Sequence, residues 1–109
     1  MLRAATEKDV EDLAKLMGEL GYPTTTKEME QRFYKIKSNS LYNTLVAEID
    51  GVIVGMIGMF VGFGYEKNED YIRIIALVVD SKYRKQGIGG ELIQGAEEWA
   101  MKKGVKKLA

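Results

Sequence analysis

At 109 residues the chain has room for one domain around one core. Its 16 basic and 16 acidic residues cancel, so no net field draws it to nucleic acid or an anionic membrane, and 46% apolar with 29% charged residues is not the composition of a disordered or membrane-embedded chain. There is no cysteine and no histidine, which excludes disulfides, a cysteine nucleophile and the usual zinc ligands, and no metal centre is expected.

In chain order, residues 1–7 lack the apolar core of a signal peptide and the longest apolar run, 52–63, is too short to span a bilayer; a cytoplasmic location is expected. Residues 2–5 read as a short edge strand. Thr6 with Asp9 three residues on is a capping pattern, and Val10, Leu13, Ala14, Met17 and Leu20 recur at helical spacing until Gly21 and Pro23 stop the helix. Thr25 with Glu28 repeats the pattern ahead of Met29, Phe33 and Ile36, a shorter helix closing in Ser38, Asn39 and Ser40.

Residues 44–49 read as a strand, Asp50-Gly51 as a two-residue hairpin turn, and 52–63 as a long antiparallel partner. Glu66, Lys67, Asn68, Glu69 and Asp70 form a solvated turn, and a third strand returns through 71–79. A last helix begins near Glu91 with Leu92, Ile93, Ala96, Trp99 and Ala100 as its apolar stripe. Gly104 closes it, and 105–109 opens a further strand. Met56, Met59 and Met101 are expected to fill gaps in the core.

Between the third strand and that helix stand Arg84, Lys85, Gln86, Gly87, Ile88, Gly89 and Gly90. The first amides of a helix have no intrahelical acceptor and sit at the positive end of its dipole, so a phosphate gains hydrogen bonds there from backbone alone. Glycines at 87, 89 and 90 let the backbone come close and permit φ > 0, so that successive N–H groups can curl round one oxygen. A dinucleotide fingerprint needs glycine where Leu92 stands, and a P-loop needs Lys and Ser/Thr where Ala96 and Glu97 follow Gly95; both are excluded.

What remains is R-x-x-G-x-G preceded by Leu77, Val78, Val79 and Asp80. This resembles the pyrophosphate-binding signature of the GNAT superfamily of acetyl-CoA-dependent N-acetyltransferases, and the chain is particularly similar to members that carry a Gly-Tyr-Pro after the first helix, as at Gly21-Tyr22-Pro23. The resemblance implies an α/β fold with a mixed, mainly antiparallel sheet flanked by helices. It implies a single N-acetyltransferase domain over 1–109, incomplete because the family's closing C-terminal strands and tyrosine-bearing helix do not follow. It also implies that the amides of Gln86, Gly87, Ile88, Gly89 and Gly90 receive the CoA pyrophosphate. Arg84 and Lys85 would add charge, and the backbone of Leu77, Val78 and Val79 would pair with the pantetheine arm. An N–H near Val79 would polarise the acetyl carbonyl.

The activity implied is direct transfer of acetyl from acetyl-CoA to a primary amine of a small molecule or protein, in a ternary complex without metal. A non-catalytic acyl-CoA-binding or regulatory module keeps the same loop, as does a module for another diphosphate; a homodimer is compatible with each. Many family members carry a carboxylate on the strand before the loop, yet 71–79 has none. Glu69 and Asp70, with Glu66 in the turn, stand as candidates to deprotonate the amine, or simply as a charged turn. Arg73 either meets an acidic group on the substrate or faces water. Tyr22 and Tyr65 either face substrate or pack at a rim.

Overall fold

Two capping boxes set the helices on one side of the sheet. The Thr6 side chain accepts from the Lys8 amide while Asp9 reaches back to the Thr6 amide at 2.8 Å, opening a 3-10 turn over Glu7–Asp9 that runs into α1, Val10–Glu19. Thr25 and Glu28 do the same for α2, Thr26–Lys37. Both starts lie where the sequence puts them, because a cap is a local device that needs only its own four residues.

The computed structural model describes residues 1–108. β1 is Leu2–Ala4, β2 Tyr42–Ile49, β3 Val52–Phe63, β4 Asp70–Val79, α3 Ile88–Lys102 and β5 Lys107–Leu108. The sheet order is β1-β2-β3-β4-β5, antiparallel throughout except for the last pair, where β5 runs parallel to β4 after the crossover through α3. Asp50 and Gly51 both take positive φ, 50° and 77°, as the tight β2–β3 turn requires. β2 starts two residues before the expected 44 because Tyr42 pairs with Phe60 across the ladder, their rings 5.3 Å apart. The strand expected over 105–109 is narrower, with Val105 buried ahead of it; Ala109 lies outside the described residues.

Each face of the sheet carries its own core. On one, α1 and α2 bury Leu13, Leu16, Met29 and Phe33 against Val46, Met56 and Val78. On the other, α3 buries Ile88, Leu92, Ala96 and Ala100 against Val54, Ile57, Met59 and Ile72. The α3 stripe is therefore shifted from the expected one: Ile93 is exposed, and so is Met101, which leaves only Met56 and Met59 of the three methionines in the core. Gly55 on β3 lies beneath the start of α3. A Cβ there would meet Leu92 Cδ1 at 3.2 Å, Ile88 Cγ2 at 3.3 Å and the Val78 carbonyl oxygen at 3.3 Å.

One ionic network ties the N-terminal strand down. Arg3 donates from both terminal nitrogens to the two carboxylate oxygens of Asp9, each at 2.8 Å, and from Nε to Glu48 at 2.8 Å. Asp9 is only 4% exposed, and its carboxyl is held below the usual aspartate range first by Arg3 and then by the Thr6 amide, against the opposing effect of burial. The same contacts raise Arg3 above its ordinary value.

Candidate active site

β4 changes its register against β3 at Ile75. Ile74 faces Met59 and Ala76 faces Gly58, so Ile75 is the extra residue of a bulge. Beyond it the strand runs to Val79 with one edge free among the described residues, since β5 covers only Tyr71 and Ile72. The Asp80 amide donates inward to the Val54 carbonyl at 2.8 Å. Alternation along an antiparallel ladder then turns the N–H and C=O of Val79 and Leu77 outward, and those of Val78 toward β3. Of the three backbone positions expected to be exposed, two therefore present hydrogen-bonding groups at the edge.

The chain then makes a 3-10 turn over Ser81–Tyr83, capped by Asp80 Oδ1 on the Lys82 amide at 2.9 Å, and enters α3. The helix begins at Ile88, one turn before the expected Glu91, because Gly87 at φ 83° supplies the left-handed N-cap and its carbonyl accepts the Glu91 amide at 3.1 Å. Gly89 and Gly90 are thus first-turn helical residues and do not have positive φ; the left-handed positions of the loop are Lys85, at φ 66°, and Gly87. This corrects the expected curl through all three glycines. The amides of Ile88, Gly89 and Gly90 precede the first intrahelical bond and point along the axis, and nothing lies within 4 Å of where a Cβ on Gly89 or Gly90 would stand.

The free edge of β4 and the start of α3 line an open cleft of about 470 Å³, walled by Leu77, Val78, Val79, Arg84, Lys85, Gly87, Ile88 and Gly89. Glu19 and Leu20, from the end of α1, close its other side. Glu19 accepts from Ser81 Oγ at 3.2 Å and pairs with Arg84 at 3.5 Å. Nothing in the local sequence marks Glu19, since only tertiary packing carries it to a loop 62 residues away. Arg84 is turned back onto its own strand, with Nε donating to the Val79 carbonyl at 3.1 Å, rather than out over the helix start.

The other sequence candidates stand elsewhere. Glu69 and Asp70 lie where β4 begins, roughly 20 Å along the strand from Leu77 at about 3.3 Å per residue, and are not brought to the cleft. Arg73 is exposed on the α1/α2 face, opposite Phe60. Tyr22 and Tyr65 are both exposed. Among the described residues no group of acidic residues has the arrangement of a metal site, and no helix is long and apolar enough to cross a membrane.

A family model described as the acetyltransferase (GNAT) family matches residues 9–109. The chain belongs to the GNAT acetyltransferase family. A GNAT family acetyltransferase from Staphylococcus aureus subsp. aureus USA300_TCH1516 has 34% identity and a TM-score of 0.92, over 99% of this chain and 82% of that one. The glucosamine-6-phosphate N-acetyltransferase of Arabidopsis thaliana superposes with a TM-score of 0.88 at 21% identity, over 100% of this chain and 79% of that one. AAC(6')-Iy in complex with the bisubstrate analogue CoA-S-monomethyl-acetylneamine gives a TM-score of 0.88 at 18% identity, over 100% and 76%. These last two share the fold. No sequence among the curated proteins matches the chain. The mixed sheet with flanking helices expected from the glycine loop is thus the GNAT fold.

Proposed function

We propose that this GNAT chain binds acetyl-CoA in the 470 Å³ cleft and passes its acetyl group directly to a primary amine. The observation that carries the reading is the convergence, in one cleft, of the first-turn amides of α3 with the outward backbone of Leu77 and Val79. In this reading the amides of Ile88, Gly89 and Gly90, with the loop amides of Gln86 and Gly87, take the pyrophosphate, and Lys85 adds charge at the rim. The outward backbone groups of Leu77 and the N–H of Val79 add the pantetheine arm as a further strand, the Val79 carbonyl being held by Arg84 Nε.

The amine nitrogen then attacks the thioester carbonyl carbon. The C–N bond forms, the C–S bond breaks, and the electron pair leaves on sulfur as thiolate while the amine gives up a proton. An edge N–H of β4 stabilises the oxyanion between these events, a contribution typically of about 3 kcal/mol per fixed donor. Because β4 from Tyr71 to Val79 carries no acid, the amine proton passes to water or to a group off this strand. The test is calorimetric titration with CoA followed by thiol release from acetyl-CoA across an amine panel. Micromolar CoA binding with amine-dependent thiol release is expected. Binding without release from any amine would favour the acyl-CoA-binding module, and no binding at millimolar CoA would overturn the proposal.

A further inference from the structure

A second, smaller cavity of about 150 Å³ lies in file with the cleft, between the inner faces of α1 and α2 and the sheet. Along α1, Leu13 and Met17 wall the small cavity and Glu19 and Leu20 wall the cleft; along β4 the change falls between Ala76 and Leu77, beside the bulge at Ile75. A molecule seated in the small cavity therefore meets the inner end of an arm laid along Leu77 to Val79.

The wall of this cavity is mostly apolar, and its charged member among the described residues is Arg32. Arg32 gives one N–H to Thr24 Oγ1 at 3.2 Å and, among the described residues, forms no ion pair. A second arginine, exposed and outside the cavity wall, follows on the same face in register. Tyr42, Phe60 and Arg73 form one row across β2, β3 and β4, and Thr44, Gly58 and Ala76 form the next row on the same face, inside the cavity wall. Arg73 likewise has no ion-pair partner among the described residues. An ammonium group on the far end of an acceptor would meet Arg32 and Arg73 here, and the carboxylate of Glu28, one turn from Arg32 on α2, is already held by Thr25 in the cap of that helix. A carboxylate or phosphate would meet the remaining N–H groups of Arg32 in the wall and, just outside it, the exposed guanidinium of Arg73, whose planar forks suit either anion.

We infer that the acceptor is an amine that also carries an anionic group, with an apolar middle in this cavity and its anion against Arg32 and Arg73. The inference rests on the transfer reading above and narrows it to a substrate class. A cavity of this size takes about one benzene ring, so the matched probes are 4-(aminomethyl)benzoate, 4-(aminomethyl)benzamide and p-xylylenediamine. These share a benzylamine nucleophile and differ only in carrying an anion, a neutral group or a cation.

The experiment measures kcat/KM for the three with acetyl-CoA, and their affinity for the CoA-loaded protein by calorimetry. The benzoate is expected to be favoured by about tenfold or more over the amide, and the diamine to be the poorest. Arg32→Met and Arg73→Met should each remove most of that preference through KM and binding, with little change in kcat and in CoA affinity. Equal binding of the three probes, or a preference that survives both substitutions, would overturn the inference whatever the transfer rate. Arginine-dependent binding of the benzoate without acetylation would instead remove the transfer reading and leave the anion site standing.

Discussion

Replacing Gly89 by valine should separate folding from CoA binding. Gly89 is a helical residue in the first turn of α3, without positive φ, and nothing lies within 4 Å of where its Cβ would be. The folded chain has room for the side chain, and valine is the better helix former by about 0.4 kcal/mol, so the unliganded variant should melt at or slightly above the wild type. The same open space is where the phosphate has to approach. CoA at about 100 times its Kd stabilises a one-site protein by about 2.7 kcal/mol, which for a chain of this size raises Tm by roughly 10–20 °C. Losing two charged amide contacts, at about 1.5 kcal/mol or more each, weakens binding at least about 100-fold. At the same CoA concentration the stabilisation falls to about 0.4 kcal/mol, a shift of two or three degrees. Gly87→Ala is the contrasting control, because φ 83° there costs an L-residue about 1 kcal/mol and should lower Tm without ligand. Thermal melts of the three proteins with and without CoA decide the matter. A Gly89→Val protein that keeps the full CoA shift places the phosphate elsewhere, and one that unfolds early without CoA means the glycine serves the fold.

Arg84→Ala should change CoA affinity less than Gly89→Val does, by under about tenfold, since its guanidinium is engaged with the Val79 carbonyl and Glu19 and exposed pairs contribute about 1 kcal/mol or less. Calorimetry returning the reverse ranking would mean that the side chain holds the phosphate. Asp9→Asn should lower stability at pH 7 by roughly 2 kcal/mol and Tm by about 8–16 °C, discounted because Arg3 is partly exposed and keeps Glu48. Because the folded Asp9 titrates below its unfolded value of 3.8, its contribution is fully present above that pH and is lost as pH falls through the lower folded value. The gap in Tm between wild type and variant should accordingly close below about pH 4; a gap constant down to pH 2.5 would show that the carboxylate charge is not what stabilises.

What could be read from the sequence was what depends on near neighbours. Thr6 with Asp9, Thr25 with Glu28 and Asp50-Gly51 each form their own hydrogen bonds or dihedrals within four residues, so spacing alone reveals them. The R-x-x-G-x-G loop was legible for the same reason. Its dihedrals were not: Gly89 and Gly90 look like helix breakers, yet one left-handed residue at Gly87 suffices and lets the helix start before them. The bulge at Ile75 arises from pairing with β3, and the wall formed by Glu19 arises from where α1 ends, so neither has a local signature. Ile93 and Met101 fell outside the core because the buried row runs every fourth residue through Ile88, Leu92, Ala96 and Ala100, and each of those two stands about 100° further round the helix.

The missing side chain at Gly55 acts as a shim. Three atoms of Ile88, Leu92 and Val78 stand 3.2–3.3 Å from the point a methyl group would occupy, closer than side chains ordinarily tolerate, so alanine at 55 would have to jack the front of α3 away from the sheet. The amides that open the helix would travel with it, while Leu77 and Val79 stay anchored in the ladder. The gap between the two halves of the cleft is thus set by a residue that lines neither. Swapping bulk between position 55 and position 92 offers a mechanical dial on ligand fit, one that leaves the residues lining the cleft unaltered.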